Sequence, residues 1–386
     1  GQEIPGSQGK GLNDVDFLIQ RVTTDSLLTS DGWADVEAIS KAADPIQAAK
    51  DAGLTNVKTV TTANGGVAST SLPYALYLVT ETKAPSSVTD KAAPFLVTVP
   101  FPTGPTGANA NKWIYDVHVY PKNGVSKLEK TVLAPAEGEL KYGDLVRWQI
   151  QADVPVLQSG EELKTFTVTD KIDTTQLAFV TDAQATAFAV APTTVTATKG
   201  GANVPLVAAG YAVTPEPAAR AELTVTFTQT GRDKLKASAQ GGKVVFTVLT
   251  QVKTVPANGV VKNNAVSVVN DSKLDASTET TVGQLRVLKY AKADGTKAAL
   301  NGATFKLYHD EGKTQPVTVA GQSEWNTANG GLLNIPALRP GDYWLVETAA
   351  PAGYQLDGTA KKVTVVAGQS TTTVNYVVVG NKQVPA

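Results

Sequence analysis

Lys289, Glu347 and Asn381 are residues of the types that can together form an amide cross-link. Glu347 follows the apolar run of residues 343–346, where a charged carboxylate is costly to bury, so burial favours the protonated acid. Burial equally favours a neutral amine on Lys289, which lies at the matching position of an earlier strand. The amine can attack the carboxamide of Asn381 while Glu347 polarises the carbonyl and transfers protons as ammonia leaves. We therefore predict a Lys289–Asn381 isopeptide bond, formed in a single turnover.

The same order of residue types occurs in the middle of the chain, as Lys130, Asp170 and Asn263. We predict a second bond, Lys130–Asn263, with Asp170 as the assisting acid. The strand register leaves Lys127 and Asn264 as alternatives, although Asn264 lies on the opposite face from Asn263. Asn263 is favoured because it shares a face with a small alanine two residues later.

The chain contains a duplicated segment. Each copy begins with Leu-Asn, continues with Thr-Ala-Asn-Gly-Gly, and ends in a tyrosine-led block that carries Glu-Thr and closes with Ala-Pro. The blocks occupy residues 12–13, 62–66 and 77–85 in the first copy, and residues 300–301, 327–331 and 343–351 in the second. Three blocks kept in order at nearly equal spacing indicate two copies of one domain with different material between them.

Alternating apolar and polar residues dominate the chain. This pattern predicts strands at residues 145–151, 165–169, 223–227 and 244–248. Short strands separated by Gly, Asn, Asp and Pro are typical of immunoglobulin-like β-sandwiches, so we expect an all-β fold. One helix is predicted at residues 45–52, between an Asp-Pro start and Gly53.

Composition excludes several classes of function. The 386 residues suggest two or three domains, and the net charge of −1 argues against nucleic acid as a partner. Cysteine is absent and there are only two histidines, which excludes thiolate chemistry and disfavours a histidine-rich metal site or a catalytic triad. A Ca²⁺ ion at Asp271 or at residues 294–295 is less favoured than a simple turn, so no metal and no cofactor are predicted.

Residues 113–123 read Trp-Ile-Tyr-Asp-Val-His-Val-Tyr-Pro-Lys-Asn. This cassette closely resembles the pilin motif of sortase-assembled pili on Gram-positive bacteria. The blocks around Glu81 and Glu347 resemble the E-box of the same shaft subunits. The resemblance covers essentially the whole chain and suggests a major, or backbone, pilin.

The resemblance implies three tandem immunoglobulin-like β-sandwich domains. They would be a CnaB-like N-terminal domain at residues 1–122, a CnaA-like middle domain at 123–278 and a CnaB-like C-terminal domain at 279–386. The polar breaks at 123–124 and 275–278 suggest short linkers. A signal sequence before the chain and a Leu-Pro-x-Thr-Gly sorting signal beyond Ala386 are also expected of the family.

Lys122 is, by the same resemblance, the nucleophile that accepts the sorting signal of another subunit from a sortase. An ε-amine on a flexible stem suits this role if it is accessible and can lose its proton. The alternation through residues 113–119 predicts a final strand that leaves Lys122 at its end, just after Pro121.

The N-terminal copy lacks one part of the cross-linking set. Glu81 matches Glu347, and Asn123 matches Asn381, but Lys10 lies in a glycine-rich loop rather than a strand. We therefore predict no cross-link in this domain and leave the role of Glu81 open.

The resemblance implies a structural protein and not an enzyme, in an extracellular pilus anchored to the cell wall. Its implied partners are a pilin-specific sortase, identical subunits joined head to tail, tip and basal minor pilins, and a host surface. A tip or basal adhesin is the alternative, disfavoured because a tip subunit does not need a pilin lysine. A glycosidase using Glu81 and Glu347 is disfavoured because the two acids lie in separate domain copies.

Overall fold

The computed structural model describes residues 11–104, 111–157, 160–214, 220–292, 298–368 and 376–384. Lys10 and residues 294–295 lie outside the described residues. The chain divides into two compact units, the first of Gly1–Ser126 with Pro155–Ser159, and the second of Lys127–Val154 with Gly160–Ala386.

The first unit is built on an antiparallel sheet. Its strands are β1 Asp16–Val22, β2 Leu54–Thr61, β3 Ala75–Lys83, β4 Val88–Asp90, β5 Phe95–Val99, β6 Phe101–Pro102, β7 Trp113–Ile114 and β8 Gly124–Val125. The main sheet has the order β2-β1-β3-β5, and two small pairs join β4 to β8 and β6 to β7. Glu81 therefore lies on the central strand β3.

Two helices of this unit, α1 Ser30–Ser40 and α2 Pro45–Ala52, cover one face of the sheet. Helix α2 confirms the predicted helix: the Asp44 carboxylate accepts from the backbone of Gln47 at 2.9 Å, and the helix ends at Gly53. Helix α1 was not predicted.

The middle of the chain, in the second unit, forms two sheets. Its elements are β9 Leu128–Leu133, β10 Leu145–Asp153, β11 Phe166–Lys171, β12 Leu177–Phe179, α3 Asp182–Phe188, β13 Thr194–Lys199, β14 Ala202–Val204, β15 Tyr211–Val213, β16 Glu222–Phe227, α4 Gln229–Ser238, β17 Lys243–Val252, β18 Val260–Val269 and β19 Ser272–Thr281, with single 3-10 turns at Glu137–Glu139 and Ala208–Gly210. One sheet has the order β14-β13-β17-β10-β9, with β12 also on β17, and the other has the order β15-β16-β11-β18-β19.

These sheets confirm the four predicted strands as β10, β11, β16 and β17. Residues 275–278, interpreted from the sequence as a linker, lie inside strand β19, so that interpretation is wrong. The alternating polar side chains of β19 belong to a strand at the edge of its sheet, where one face is open to solvent, and composition alone does not separate such an edge from a loop. Only Val282 separates β19 from the next strand.

The C-terminal part of the second unit contains β20 Gly283–Ala291, β21 Thr304–Tyr308, β22 Trp325–Asn326, β23 Leu332–Leu338, β24 Gly341–Ala349, β25 Lys361–Val365 and β26 Tyr376–Asn381. One sheet has the order β23-β20-β26, and the other has the order β22-β21-β24-β25. Strands β20 and β26 are parallel neighbours. The first and last strands of this part of the chain therefore lie side by side.

The duplicated blocks contact one another in the same way in both copies. Asn301 Oδ1 accepts from the backbone N–H groups of Gly330 and Gly331 at 3.2 and 2.8 Å. In the first copy, Asn13 Oδ1 accepts from residues 65–66 at 3.0 and 2.9 Å. The Leu-Asn and Thr-Ala-Asn-Gly-Gly blocks are thus two halves of one folded turn.

The second copy of this turn holds the backbone of Lys289. The backbone N–H of Lys289 donates to the carbonyl of Gly331 at 2.8 Å. Gly331 has a φ of +73°, and a Cβ at this position would lie 2.4 Å from the Lys289 carbonyl oxygen. Glycine is required here because both the backbone conformation and the close approach exclude a side chain.

Candidate functional site

Lys289, Glu347 and Asn381 meet in the interior of the C-terminal part of the chain. Their relative exposures are 0%, 3% and 2%. Lys289 Nζ lies 2.8 Å from Glu347 Oε1 and donates to Asn381 Oδ1. The Asn381 carboxamide donates to both oxygens of Glu347 at 3.0 Å. The structure thus brings the amine, the acid and the carboxamide into mutual contact.

Strand pairing accounts for this meeting. Lys289 on β20 is in register with Val379 on the parallel strand β26, and Asn381 lies two residues further on the same face. Glu347 projects from β24 in the other sheet of this part of the chain. The site therefore joins the two sheets.

The surroundings of Lys289 favour its neutral form. Burial lowers the pKa of Lys289, and its hydrogen bond and charge interaction with Glu347 oppose this shift only in part. The ring of Phe305 lies 5.6 Å from Lys289 Nζ, and the backbone N–H of Asp357 donates to Glu347 at 3.2 Å. These two contacts were not predicted.

Lys130, Asp170 and Asn263 meet in the same way in the middle of the chain. Lys130 Nζ lies 2.6 Å from Asp170 Oδ2, and the Asn263 carboxamide donates to the same oxygen at 3.4 Å. All three residues are buried, whereas the alternatives Lys127 and Asn264 are exposed. Lys130 comes from β9 in one sheet, and the other two residues come from β11 and β18 in the facing sheet.

Burial shifts both ionisable groups of this trio towards their neutral forms. It lowers the pKa of Lys130 and raises the pKa of Asp170, while the attraction between the two charges opposes each shift. Asp170 Oδ1 and Asn263 Oδ1 have no hydrogen-bond partner among the described residues. An unpaired oxygen on a buried carboxylate is costly, which further favours a proton on the acid. The ring of Trp148, 5.7 Å from Lys130 Nζ, completes the apolar wall.

Glu81 and Asn123 form a similar contact in the first unit. The Asn123 carboxamide donates to both oxygens of Glu81, at 2.7 and 2.9 Å, and the backbone N–H of Ala92 donates to one of them at 3.0 Å. Among the described residues, Glu81 makes no ion pair with a lysine. Lys10, considered from the sequence, lies outside those residues.

Lys122 is exposed, as its proposed chemistry requires. The strand predicted before it is wrong: β7 covers only Trp113–Ile114, and residues 115–123 form no strand. The aromatic side chains contact other surface rings instead of a sheet. Trp113 lies 4.9 Å from the ring of Trp33, and Tyr115 lies 6.0 Å from that of Tyr74.

The described part of the chain contains no helix that is both long enough and apolar enough to cross a membrane. Nor do three or more His, Asp or Glu side chains gather there in an arrangement suited to a metal ion.

Comparison with known proteins identifies the family. Residues 1–124 match the family described as Gram-positive pilin subunit D1, N-terminal domain, and residues 286–379 match the SpaA prealbumin-like fold domain. The chain is 30% identical to the fimbrial subunit type 2 of Actinomyces naeslundii, over 94% of this chain and 76% of that protein. The chain belongs to the pilin subunits of Gram-positive bacteria.

Solved pilin structures share its fold. The full-length major pilin SpaD of Corynebacterium diphtheriae matches with a TM-score of 0.71 and 26% identity, covering 100% of this chain and 93% of SpaD. The major pilin SpaA of the same organism matches with a TM-score of 0.59 and 22% identity, covering 96% of each chain. The predicted all-β fold and the predicted identity as a major pilin are confirmed. This pilin is a structural subunit of a cell-surface pilus shaft.

Proposed function

We propose that a sortase polymerises this pilin through Lys122, and that each subunit is reinforced by Lys130–Asn263 and Lys289–Asn381 isopeptide bonds. The observation that carries the second part is the buried contact of Lys289 with both Glu347 and Asn381. In this scheme the partners are a sortase, identical subunits, minor pilins at the tip and base, and a host surface.

The internal bonds need no external reagent. The neutral amine of Lys289 attacks the carboxamide carbon of Asn381, a C–N bond forms, and the original C–N bond breaks to release ammonia. Glu347 donates its proton towards the carbonyl oxygen and then transfers protons from the attacking amine to the leaving nitrogen. Its hydrogen bonds to both partners, at 2.8 to 3.0 Å, support this role.

The intermolecular bond uses the same nucleophile type in the opposite environment. A sortase holds the threonine carbonyl of a cleaved sorting signal as a thioester. The neutral amine of Lys122 attacks that carbonyl, an amide forms, and the proton of the amine passes to the departing thiolate. Exposure of Lys122 suits an attack on a group held by another protein.

Head-to-tail joining of one lysine to the C-terminus of the next subunit gives an open filament. The test replaces Lys122 by arginine, which keeps the charge but is almost impossible to deprotonate. High-mass polymer ladders from the cell surface should disappear, while the monomer still folds. Lys112→Arg, at another exposed lysine beside the cassette, is the matched control and should leave the ladders intact. Unchanged ladders from the Lys122→Arg strain would contradict the proposal.

A further inference from the structure

We propose that Glu81 and Asn123 are positioning residues that hold Lys122 in the place where a sortase can use it. This inference rests on the proposed role of Lys122 and adds a function for the acid of the first duplicated block. Asn123 follows Lys122 directly in the chain, so any contact that fixes Asn123 also fixes the backbone from which the lysine side chain extends.

The contact is a two-point clamp on a rigid support. Glu81 is 7% exposed and lies on β3, which pairs with β1 on one side and β5 on the other. Both of its oxygens accept from the Asn123 carboxamide, and the backbone N–H of Ala92 holds one oxygen from another direction. Hydrogen bonds to a carboxylate are stronger than those between neutral groups. The carboxylate is thus oriented before it holds Asn123.

The segment before Lys122 lacks the support that a strand would give. Residues 115–123 belong to no strand, and Tyr115 and Tyr120 are 62% and 44% exposed. Among the described residues, the side-chain hydrogen bonds nearest in sequence to Lys122 are those that Asn123 makes to Glu81. A short strand, β8, follows at once and pairs with β4. The clamp is therefore the point at which the cassette joins the folded body of the unit.

Comparison with the second copy shows that the clamp alone is not a cross-linking site. There, the lysine Nζ contacts both the acid and the asparagine, whereas no described lysine contacts Glu81. The first copy uses the same acid–carboxamide contact next to an exposed lysine instead of a buried one. The residue that needs placing is thus Lys122, one position before Asn123.

The test measures ligation of a sorting-signal peptide to the full chain by a pilin-specific sortase. Asn123→Asp sets two carboxylates against each other, so the contact is lost, and the ligation rate should fall about tenfold or more because the amine is misplaced. Combining this change with Glu81→Gln exchanges the amide and the carboxylate across the contact, and this double variant should recover most of the rate. Asp116→Asn, at an exposed acid in the same cassette, is the control and should react normally.

A second readout separates placement from exposure. Acylation of Lys122 by a small N-hydroxysuccinimide ester, located by peptide mass mapping, should be equal in the original chain and both variants. The inference is overturned if Asn123→Asp ligates at the original rate, if the double variant stays as slow as the single one, or if small-reagent labelling falls in parallel with ligation. The proposed function fails separately if Lys122→Arg ligates at the original rate in the same assay.

Discussion

Asn381 lies beside Lys289 on a parallel strand, and the lysine Nζ donates to the carboxamide oxygen that would be activated during bond formation. Glu347 contacts both residues from the opposite sheet, and all three are buried. Two strands at opposite ends of one domain sequence thus meet at a reactive pair. The consequences for chemistry, stability and pH dependence can each be measured.

Glu347→Gln should leave the C-terminal bond unformed while the fold persists. Glutamine has the same shape and can keep a hydrogen bond to each neighbour, but it cannot transfer a proton. The intact mass should exceed that of the original chain by about 17 Da, one retained ammonia. Glu324→Gln, at an exposed acid in the same part of the chain, should leave the mass deficit unchanged. Full loss of ammonia from the Glu347→Gln chain would remove the acid from the mechanism.

Asn381→Ala should destabilise the C-terminal part of the chain while leaving the buried Lys289–Glu347 ion pair in place. The lost bond closes a loop over nearly the whole domain, and the loop-closure relation gives a cost of roughly 4 kcal/mol. Denaturation curves should show this loss together with faster digestion by trypsin. Asn334→Ala, at an exposed asparagine on β23, should change stability by less than about 0.5 kcal/mol. Equal melting curves for the Asn381→Ala and Asn334→Ala chains would contradict a stabilising bond.

The rate of Lys130–Asn263 bond formation should be constant across a pH plateau and fall on both sides. The reactive state, a neutral amine with a protonated acid, carries the same number of protons as the ion pair, so pH does not change their ratio. Above the plateau the pair loses its proton, and below it the amine stays charged beside a protonated acid. Because burial lowers the pKa of Lys130 and raises that of Asp170, the plateau should be narrower than the interval from about 4 to about 10 between the ordinary values.

The measurement starts from unfolded chain recovered from inclusion bodies, which is folded by dilution at a series of pH values and followed by intact mass. The Asp170→Asn chain is the control and should not react at any pH. A rate that rises steadily up to pH values where ordinary lysines deprotonate would show that the acid has no part in the reaction.

Sequence patterns predicted the sheets and the two buried trios well, for a physical reason. Strand alternation fixes which residues face inward, so a lysine or asparagine in the apolar phase of a strand is readable as buried. Lys130 and Asn263 were preferred on this ground, and the structure brings both to Asp170.

Three helices were missed because their apolar faces are weak, although their start signals were present. Helix α3 begins with Thr181, whose side chain caps Gln184 while the glutamine side chain caps Thr181 in return. Helices α1 and α4 begin after Thr29 and Thr228, each accepting from a glycine N–H three residues later. Threonine is also common in strands, which concealed these caps in a threonine-rich chain.

The cassette before Lys122 was the other failure. Its alternation of aromatic and polar residues has the period of a strand, but the aromatic rings pack on surface rings such as Trp33 and Tyr74. Periodicity predicts which side chains share a face and does not reveal whether a partner strand is available. The contact of Asn123 with Glu81, which ends this segment, depends on tertiary structure and on residues 42 positions apart.

Intact mass of the folded, purified chain tests the central claim most directly. Two internal bonds remove two molecules of ammonia, so the account predicts a mass about 34 Da below that of the sequence. Fragmentation of a digest should then yield two branched peptides, one joining Lys130 to Asn263 and one joining Lys289 to Asn381. A mass equal to that of the sequence, with all four residues recovered in linear peptides, would contradict the account.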